Sequence, residues 1–406
     1  MKSRLVAPLF AALLASLWSL AALADDKVVK IGVLTDLSML YADLGGPGST
    51  LAAQMAVEDS GLTKKGWTID VTSADHQNKP DVGVGIARKW FDEDKIDVIA
   101  DVPNSAVALA VAAVVKEKNG VYLNSGAATS DLTGRACTPN TVHWTYDTYT
   151  LANGTGKAVV KAGGDTWFFI TADYIFGHTL QRDTSAVIVA NGGKIVGSVN
   201  VPLSTPDFSS FLLQAQSSGA KIIGLANAGG DTTNAIKQAH EYGIAGGGQK
   251  LAALLLFISD VNALGLDIAQ GLQFTETFYW DMNDGTRAFS KRFVERMKNH
   301  AEPTMVQAGV YASLIHYFKA VEALGGNPHD GAKVVAKMKE MPTDDPLFGK
   351  GMIRIDGRTI HPAYLFQVKS PAESKYPWDY YKLIATIPPE EAFRPLAESE
   401  CPLVKK

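Results

Sequence analysis

The feature that most constrains this chain is its regular alternation of short apolar strands and helices. From Lys27 onwards, β-rich runs at residues 28–34 and 96–101 are separated from the next strand by helical patterns such as the one at 106–117. Strands separated by helices of about 10–15 residues are typical of βαβ units in a parallel sheet. Strands buried on both faces of such a sheet should be continuously apolar, and most of these are.

The same alternation begins again in the second part of the chain, with a strand, a helix and a strand at residues 166–201. In each half, the first strand leads into an aspartate and then a tyrosine. These residues are Asp36 and Tyr41 in the first half, and Asp173 and Tyr174 in the second. The matched placement predicts two similar α/β lobes.

The last third of the chain predicts further passages between the lobes. A long helix is expected at 306–324, and late strands are expected at 352–355 and 364–368. We interpret the late strands as the chain crossing back to complete both sheets. Together with a first crossing near 143–149, they predict a hinge with restricted motion.

The first 24 residues have the pattern of a cleaved secretory signal peptide. Lys2 and Arg4 precede an apolar run at 5–21, which ends in the small-x-small sequence Ala22-Leu23-Ala24. The alternative is an uncleaved signal anchor, because the apolar run is nearly long enough to span a bilayer. Removing Lys2 and Arg4 takes the formal charge from −4 to −6. The predicted location is therefore the periplasm.

Because the protein is predicted to be exported, its two cysteines, Cys137 and Cys401, are candidates for a disulfide. In an oxidising compartment a single bridge between them is expected, and it would attach the C-terminal tail across a very long loop. Two free thiols remain the alternative. Two cysteines are too few for a disulfide framework or a four-cysteine zinc site.

Composition and motifs exclude several classes of function. The chain has 406 residues, of which 46% are hydrophobic and 20% charged, as in ordinary globular proteins of two or three domains. It has no Lys/Arg run, so a nucleic-acid partner is not expected. It contains no G-x-S-x-G elbow, P-loop or H-E-x-x-H sequence, and its eight histidines show no ligand spacing. We therefore expect no enzyme activity, no cofactor and no metal site.

Polar, glycine-rich loops follow the predicted strands at their carboxyl ends, where open α/β sheets bind ligands. One loop covers residues 102–105 and another covers 124–131. Free N–H groups and small side chains there favour an anion such as a carboxylate, although simple helix capping would also explain these residues. The residues predicted to contact the ligand in these loops are Asn104, Ser105, Ser125, Gly126, Ala127 and Ala128.

Aromatic residues in predicted loops suggest an apolar cleft between the lobes. Each of them alone could simply pack in the core, but together they favour a cleft that encloses a flat or branched ligand. The segments 227–231 and 257–260 follow strands of the second half and should face the same cleft. The aromatic residues are Tyr41, Trp144, Tyr146, Tyr149, Tyr174 and Phe176.

In the order and spacing of these segments, the chain resembles the type I, Leu/Ile/Val-binding group of periplasmic substrate-binding proteins of ABC transporters. The resemblance runs from about Val28 to Ile387. No single segment is diagnostic. The segments that carry it are Lys30-Ile-Gly-Val33, Leu40-Tyr41 with Gly45, the loop after Ile96-Asp-Val-Ile99, Ser125-Gly-Ala-Ala-Thr-Ser-Asp-Leu-Thr133, Asp173-Tyr-Ile-Phe-Gly177 and Asp207-Phe-Ser209.

The resemblance implies two Rossmann-like lobes with mostly parallel sheets, joined by a three-strand hinge that lets them close on a ligand. The implied first lobe comprises 27–145 plus 275–342, the second comprises 146–274 plus 343–390, and 391–406 form a tail. Carried over by position, the ligand-contacting residues are Tyr41, Ser105, Ser125, Ala127 and Ala128 in the first lobe, and Tyr174, Phe176, Asn227, Ile258 and Asp260 in the second.

One departure from the family bears on the ligand. Amino-acid binders of this group carry an acidic residue after a second-lobe strand, which pairs with the ligand's ammonium. Here an aliphatic or aromatic residue stands at that place, and Asp260 comes about two positions late. Because a buried ammonium without a partner is costly, either Asp260 or Asp231 pairs with it, or the ligand has no amino group.

The second possibility favours a small hydrophobic carboxylate, such as the aromatic acids taken by a similar subgroup. A branched-chain or other amino acid is one alternative, and a small amide or urea-like solute is another. The expected partners are the ligand and the permease subunits of an inner-membrane ABC transporter. A ligand-binding sensory module is the rival class of protein, and it would retain its N-terminal anchor.

Overall fold

A computed structural model describes residues 27–405, so the predicted signal peptide at 1–24 lies outside the described residues. The first lobe is built on a five-stranded parallel sheet with the order β2-β1-β3-β4-β5, as the strand–helix alternation predicted. The elements of this part of the chain are β1 (Val28–Thr35), α1 (Gly46–Ser60), β2 (Thr68–Asp75), α2 (Pro80–Lys89), β3 (Val98–Asp101), α3 (Ser105–Lys118), β4 (Val121–Asn124) and β5 (Thr141–His143).

The second lobe is built on a four-stranded parallel sheet with the order β7-β6-β8-β9. A helical segment with a π turn at Ala152–Gly156 leads into it from the first lobe. The elements are α4 (Thr148–Leu151), α5 (Lys157–Lys161), β6 (Thr166–Ala172), α6 (Ile175–Ala190), β7 (Lys194–Val201), α7 (Ser209–Ser217), β8 (Ile222–Ala226), α8 (Gly230–Glu241), β9 (Lys250–Ala253), α9 (Ile258–Leu264) and α10 (Leu266–Ala269).

The central strands of both sheets are apolar because helices cover both of their faces, whereas the edge strands β2 and β7 are partly exposed. In β6, Trp167 and Phe169 belong to one buried cluster, while Phe168 and Ile170 belong to another. Since successive side chains of a strand point to opposite faces, this division places a core on each side of the sheet. Burial on two faces explains why the sequence shows continuous apolar runs rather than alternation.

The late strands do not complete the two parallel sheets, and that prediction is wrong. They form two separate antiparallel sheets of three strands, with the orders β10-β14-β15 and β11-β12-β13. Short connections favour antiparallel pairing, whereas adding a parallel strand requires a longer crossover. The remaining elements are β10 (Gln273–Glu276), α11 (Asp284–Arg296), α12 (Met305–Ala323), α13 (Gly331–Glu340), β11 (Thr343–Asp345), β12 (Gly349–Ile353), β13 (Thr359–Ile360), β14 (Ala363–Val368), β15 (Tyr381–Ile387) and α14 (Pro389–Ala392).

The small sheet β11-β12-β13 lies beside the first lobe. The His143 N–H at the end of β5 donates to Gly357 O at 2.9 Å, and His143 forms a parallel bridge with Arg358. The sequence-based division placed this part of the chain, from residue 343, in the second lobe. These contacts favour assigning the small sheet to the first lobe. The rest of the division into lobes stays a prediction.

The C-terminal tail is attached to the first lobe by the expected disulfide between Cys137 and Cys401. On its way there it packs on the chain segments that connect the lobes. The Arg358 guanidinium lies over the Phe393 ring at 4.8 Å, and the His361 ring contacts the same ring at 5.4 Å. The tail therefore covers the hinge.

Within the described range, no helix is long and apolar enough to cross a membrane.

The close packing of α6 against β6 can be tested at Gly177, a glycine near the start of the helix. A Cβ on Gly177 would lie 2.1 Å from the backbone oxygen of Ala172, which cannot move aside without disturbing β6. We expect Gly177→Ala to lower the free energy of unfolding by about 1–3 kcal/mol, measured by urea denaturation. The control is Gly85→Ala in α2, where a Cβ meets nothing within 4 Å and where we expect a gain of about 0.5–1 kcal/mol. Equal effects of the two substitutions would contradict the account.

Candidate ligand-binding site

The loops at the carboxyl ends of the two parallel sheets meet around a small cavity, which we call the interlobe cavity. Its volume is about 10 Å³, which is room for about one water molecule, so binding of a larger ligand requires these loops to move apart. The lining residues are Tyr41, Leu44, Pro103, Gly126, Ala128, Tyr146, Tyr174, Phe176, Ala228, Leu255 and Phe257.

Aromatic rings from both lobes form most of the cavity wall. Tyr41 of the first lobe and Tyr174 of the second meet through their hydroxyl oxygens at 2.7 Å. The Tyr146 ring packs edge-on against Phe257 at 6.2 Å between centroids, and Phe176 packs against Tyr174 at 5.9 Å. The rings bring a large apolar area to a ligand that is held between the lobes.

The loop after β4 presents buried backbone donors at this cavity. Among residues 27–405, the N–H groups of Gly126, Ala127 and Ala128 make no hydrogen bond. All three carbonyl groups are occupied, since the Tyr146 hydroxyl donates to Gly126 O at 2.7 Å, the His143 ring donates to Ala127 O at 2.8 Å, and the Thr148 N–H donates to Ala128 O at 2.8 Å. Buried N–H groups are nearly always paired, so three unpaired ones indicate a place for an acceptor such as a carboxylate.

The end of β3 adopts a strained backbone beside this loop. Asp101 and Val102 both have positive φ, at 78° and 60°, immediately before Pro103 of the cavity wall. Such a conformation is costly for a β-branched residue and is concentrated at functional sites. Below it, the Asp101 carboxylate accepts from Thr35 Oγ1 at 2.8 Å, and burial raises the pKa of Asp101 to about 6. Sequence reasoning could not predict this strain, because Asp-Val continues an apolar strand.

Both acidic candidates for pairing with a ligand's ammonium hold backbone groups of the protein. Asp260 accepts from the Phe257 N–H at 2.9 Å and caps its own helix, and Asp231 accepts from the Ser204 N–H at 3.1 Å. Burial raises the pKa of Asp260 to about 7 and that of Asp231 to about 6, so both are weakened as anions. Neither side chain belongs to the lining of the interlobe cavity, which contains no charged group among the residues described.

The structure brings six of the predicted site residues together in the cavity wall: Tyr41, Gly126, Ala128, Tyr146, Tyr174 and Phe176. Four others lie beside the cavity loops, where their side chains bind other groups of the protein: Asn104, Ser105, Asn227 and Asp260. Asn104 caps α3 by accepting from the Ala106 and Val107 N–H groups. Ser105 accepts from the Thr129 N–H at 3.2 Å, and Asn227 accepts from the Thr232 hydroxyl at 2.7 Å.

Three more of the predicted residues have other surroundings. Ser125 Oγ lies next to α12, where a Cβ on Gly309 would be 3.2 Å from it, and Ile258 is buried in the core of the second lobe. Ala127 accepts from the His143 ring at 2.8 Å through its carbonyl, and it is not part of the cavity lining. As ligand contacts, these residues stay predictions.

Five of the wall residues were not named as individual contacts from the sequence: Leu44, Pro103, Ala228, Leu255 and Phe257. The segments predicted to face the cleft, 227–231 and 257–260, do contain Ala228 and Phe257. Leu255 and Phe257 belong to the run 254–257, which looked like the continuation of a strand. β9 in fact ends at Ala253, so this run is the loop at the carboxyl end of the strand. Within residues 27–405, no group of three or more His, Cys, Asp or Glu side chains is placed to hold a metal ion.

Comparison with known proteins assigns the family. A family model described as "Periplasmic binding protein" matches residues 28–375. The chain belongs to the periplasmic binding proteins. This confirms the predicted family and its type I fold, and it makes the protein a substrate-binding component of the ABC-transporter class rather than an enzyme.

Three relatives illustrate this membership. A periplasmic binding protein from Burkholderia mallei is 52% identical, with a TM-score of 0.90 over 93% of this chain and 100% of that chain. A branched-chain amino acid ABC transporter periplasmic ligand-binding protein from Burkholderia xenovorans LB400 is 40% identical, with a TM-score of 0.82 over the same shares. A Leu/Ile/Val-binding protein homolog 6 from Brucella abortus (strain 2308) is 26% identical over 92% of this chain and 94% of its own length.

The raised pKa of Asp260 predicts a pH dependence of stability for this periplasmic binding protein. A carboxyl whose pKa is higher in the folded state stabilises the fold at low pH, and this contribution is lost as the pH rises from about 4 to about 7. Asp260→Asn keeps an acceptor for the Phe257 N–H but does not ionise. We expect its free energy of unfolding, relative to the wild type, to increase across this pH range by on the order of 1–4 kcal/mol.

Urea denaturation at pH 4, 5.5 and 7.5 measures this difference. The control is Asp207→Asn, because Asp207 is exposed and its pKa is lowered by hydrogen bonds from Ser209. A difference between Asp260→Asn and the wild type that is constant with pH would contradict the assignment.

Proposed function

We propose that this periplasmic binding protein captures a small hydrophobic carboxylate, most specifically an aromatic acid, between its two lobes and delivers it to an ABC importer. The observation that carries the proposal is the composition of the interlobe cavity. Five of its eleven wall residues are aromatic, no charged side chain lines it among the residues described, and the wall residues Gly126 and Ala128 have unpaired N–H groups. An aryl carboxylate matches both parts, because its ring fits the apolar wall and its oxygens accept from the N–H groups.

Capture follows from contacts with both lobes at once. Gly126 and Ala128 belong to the first lobe, whereas Tyr174 and Phe257 belong to the second. A ligand that touches both sets binds the closed form more tightly than the open form and shifts the population towards it. In this proposal the closed form then docks on the permease subunits of an inner-membrane transporter, after export to the periplasm with removal of residues 1–24.

A branched-chain amino acid is the second candidate, and it is favoured by the description of the Burkholderia xenovorans relative. An aliphatic side chain would also fit the apolar wall. The ammonium group argues against it, because neither Asp231 nor Asp260 lines the interlobe cavity, and each already accepts from a backbone N–H group. A buried ammonium without an anionic partner costs several kcal/mol.

Thermal unfolding with added ligands distinguishes the two candidates. At a ligand concentration 100 times the dissociation constant, binding should stabilise the protein by roughly 2.7 kcal/mol. We expect benzoate and 4-hydroxybenzoate to raise the melting temperature, and leucine, isoleucine and valine to leave it unchanged. Stabilisation by the amino acids and not by the aryl carboxylates would show that the aromatic proposal is wrong.

Substitution of Phe257 tests whether the cavity holds the ligand. Phe257→Glu places a carboxylate in the apolar wall beside Tyr146, where it repels an anionic ligand. We expect affinity for benzoate to fall at least 100-fold. Phe257→Leu is the control, because it keeps the wall apolar. It removes one edge-on ring contact and should lower the affinity for benzoate no more than about tenfold. Isothermal titration calorimetry measures both, and equal affinities of the two variants would place the ligand elsewhere.

A further inference from the structure

The loop between β1 and α1, residues 36–45, is organised by one buried carboxylate. Asp36 is fully buried and accepts four hydrogen bonds. Its Oδ1 accepts from the N–H groups of Ser38 at 3.2 Å and Met39 at 2.7 Å. Its Oδ2 accepts from the Tyr41 N–H at 2.8 Å and from Asn78 Nδ2 at 2.6 Å. The acceptor is a carboxylate and three of the donors are backbone groups, so these bonds fix the path of the loop.

Asp36 fixes the backbone of a loop segment that contacts the second lobe. Gly229 has φ of 59°, and a Cβ on it would lie 2.7 Å from Leu40 O and 3.3 Å from the Tyr41 ring. A Cβ on Gly230 would lie 3.0 Å from Leu40 Cδ1. Leu40 and Tyr41 therefore rest on two glycines of the second lobe. We call this contact the interlobe seat, defined by Leu40 and Tyr41 on one side and by Gly229 and Gly230 on the other.

The interlobe seat exists only when the lobes are closed, because its two sides belong to different lobes. A contact made only in the closed form raises the closed population, and it slows release of a ligand held between the lobes. The fit is close at Gly229, where no side chain is tolerated. Small displacements of Leu40 or Tyr41 would therefore prevent full closure.

We propose that Asp36 is a positioning residue for closure, which holds Leu40 and Tyr41 in the one arrangement that fits the interlobe seat. The proposal rests on the proposed capture of a ligand between the lobes, but not on the chemical class of that ligand. Asp36 is absent from the lining of the interlobe cavity, so its influence on a ligand passes through the loop.

The first test separates the rate of binding from the rate of release. Asp36→Asn turns one acceptor of the backbone N–H groups into a donor and should loosen the loop. With benzoate as the probe in stopped-flow fluorescence, we expect the dissociation rate to rise at least tenfold and the association rate to change less than threefold. Gly230→Ala, which crowds Leu40 from the other lobe, should act in the same direction.

Asp75→Asn is the matched control. Asp75 accepts from the Ser38 hydroxyl and the Gln77 N–H, so it touches the same loop without holding Leu40 or Tyr41. We expect it to leave both rates within twofold of the wild type. If Asp36→Asn does not fold, Asn78→Asp places a second carboxylate against Asp36, and we expect the same direction of change. An unchanged dissociation rate in the variant that folds would overturn the proposal.

A second readout needs no ligand. Small-angle X-ray scattering of the free protein should give a larger radius of gyration for Asp36→Asn and Gly230→Ala than for the wild type and Asp75→Asn. If benzoate does not bind the wild type, the aromatic proposal fails, and the scattering comparison still decides the role of Asp36. Identical scattering curves for all four proteins would overturn the positioning role even if benzoate binds.

Discussion

The site depends on one constraint, which is that buried backbone N–H groups need acceptors. In the loop after β4, the N–H groups of Gly126, Ala127 and Ala128 make no hydrogen bond among the residues described. The neighbouring wall consists of aromatic and aliphatic side chains, which offer no anion. In the proposed function, the carboxylate of the ligand satisfies these donors and its ring packs on the apolar wall.

The two lobes are joined by contacts of two different kinds. Away from the mouth, a buried polar contact connects them: Asp183 of α6 in the second lobe accepts from the Ser130 hydroxyl of the first lobe at 2.7 Å. The tail adds Arg394 to the same carboxylate, and the disulfide at Cys401 fixes the tail to the first lobe. At the mouth, the contacts are a pair of tyrosine hydroxyl groups and two glycines. In the proposed function, the mouth is where the lobes separate.

Much of the fold could be predicted from the sequence, because local periodicity determines it. The strand predicted to end at residue 201 was placed correctly, as β7 (Lys194–Val201), and the polar and aromatic loops were placed at the correct ends of the strands. The antiparallel sheets of the last third were missed because β10 pairs with β14, which lies far away in the sequence, and because β11 and β13 are only three and two residues long. The positive φ of Asp101 and Val102 and the direction of Ser125 Oγ were missed too. Each is set by tertiary contacts that no sequence pattern records.

A crystal structure of the protein grown with benzoate tests the central claim most directly. The account predicts that the ring lies among Tyr41, Tyr146, Tyr174 and Phe257, and that the carboxylate oxygens lie about 2.7–3.2 Å from backbone nitrogens of Gly126–Ala128. A benzoate bound outside the interlobe cavity, or one whose carboxylate points away from these nitrogens, would contradict the account.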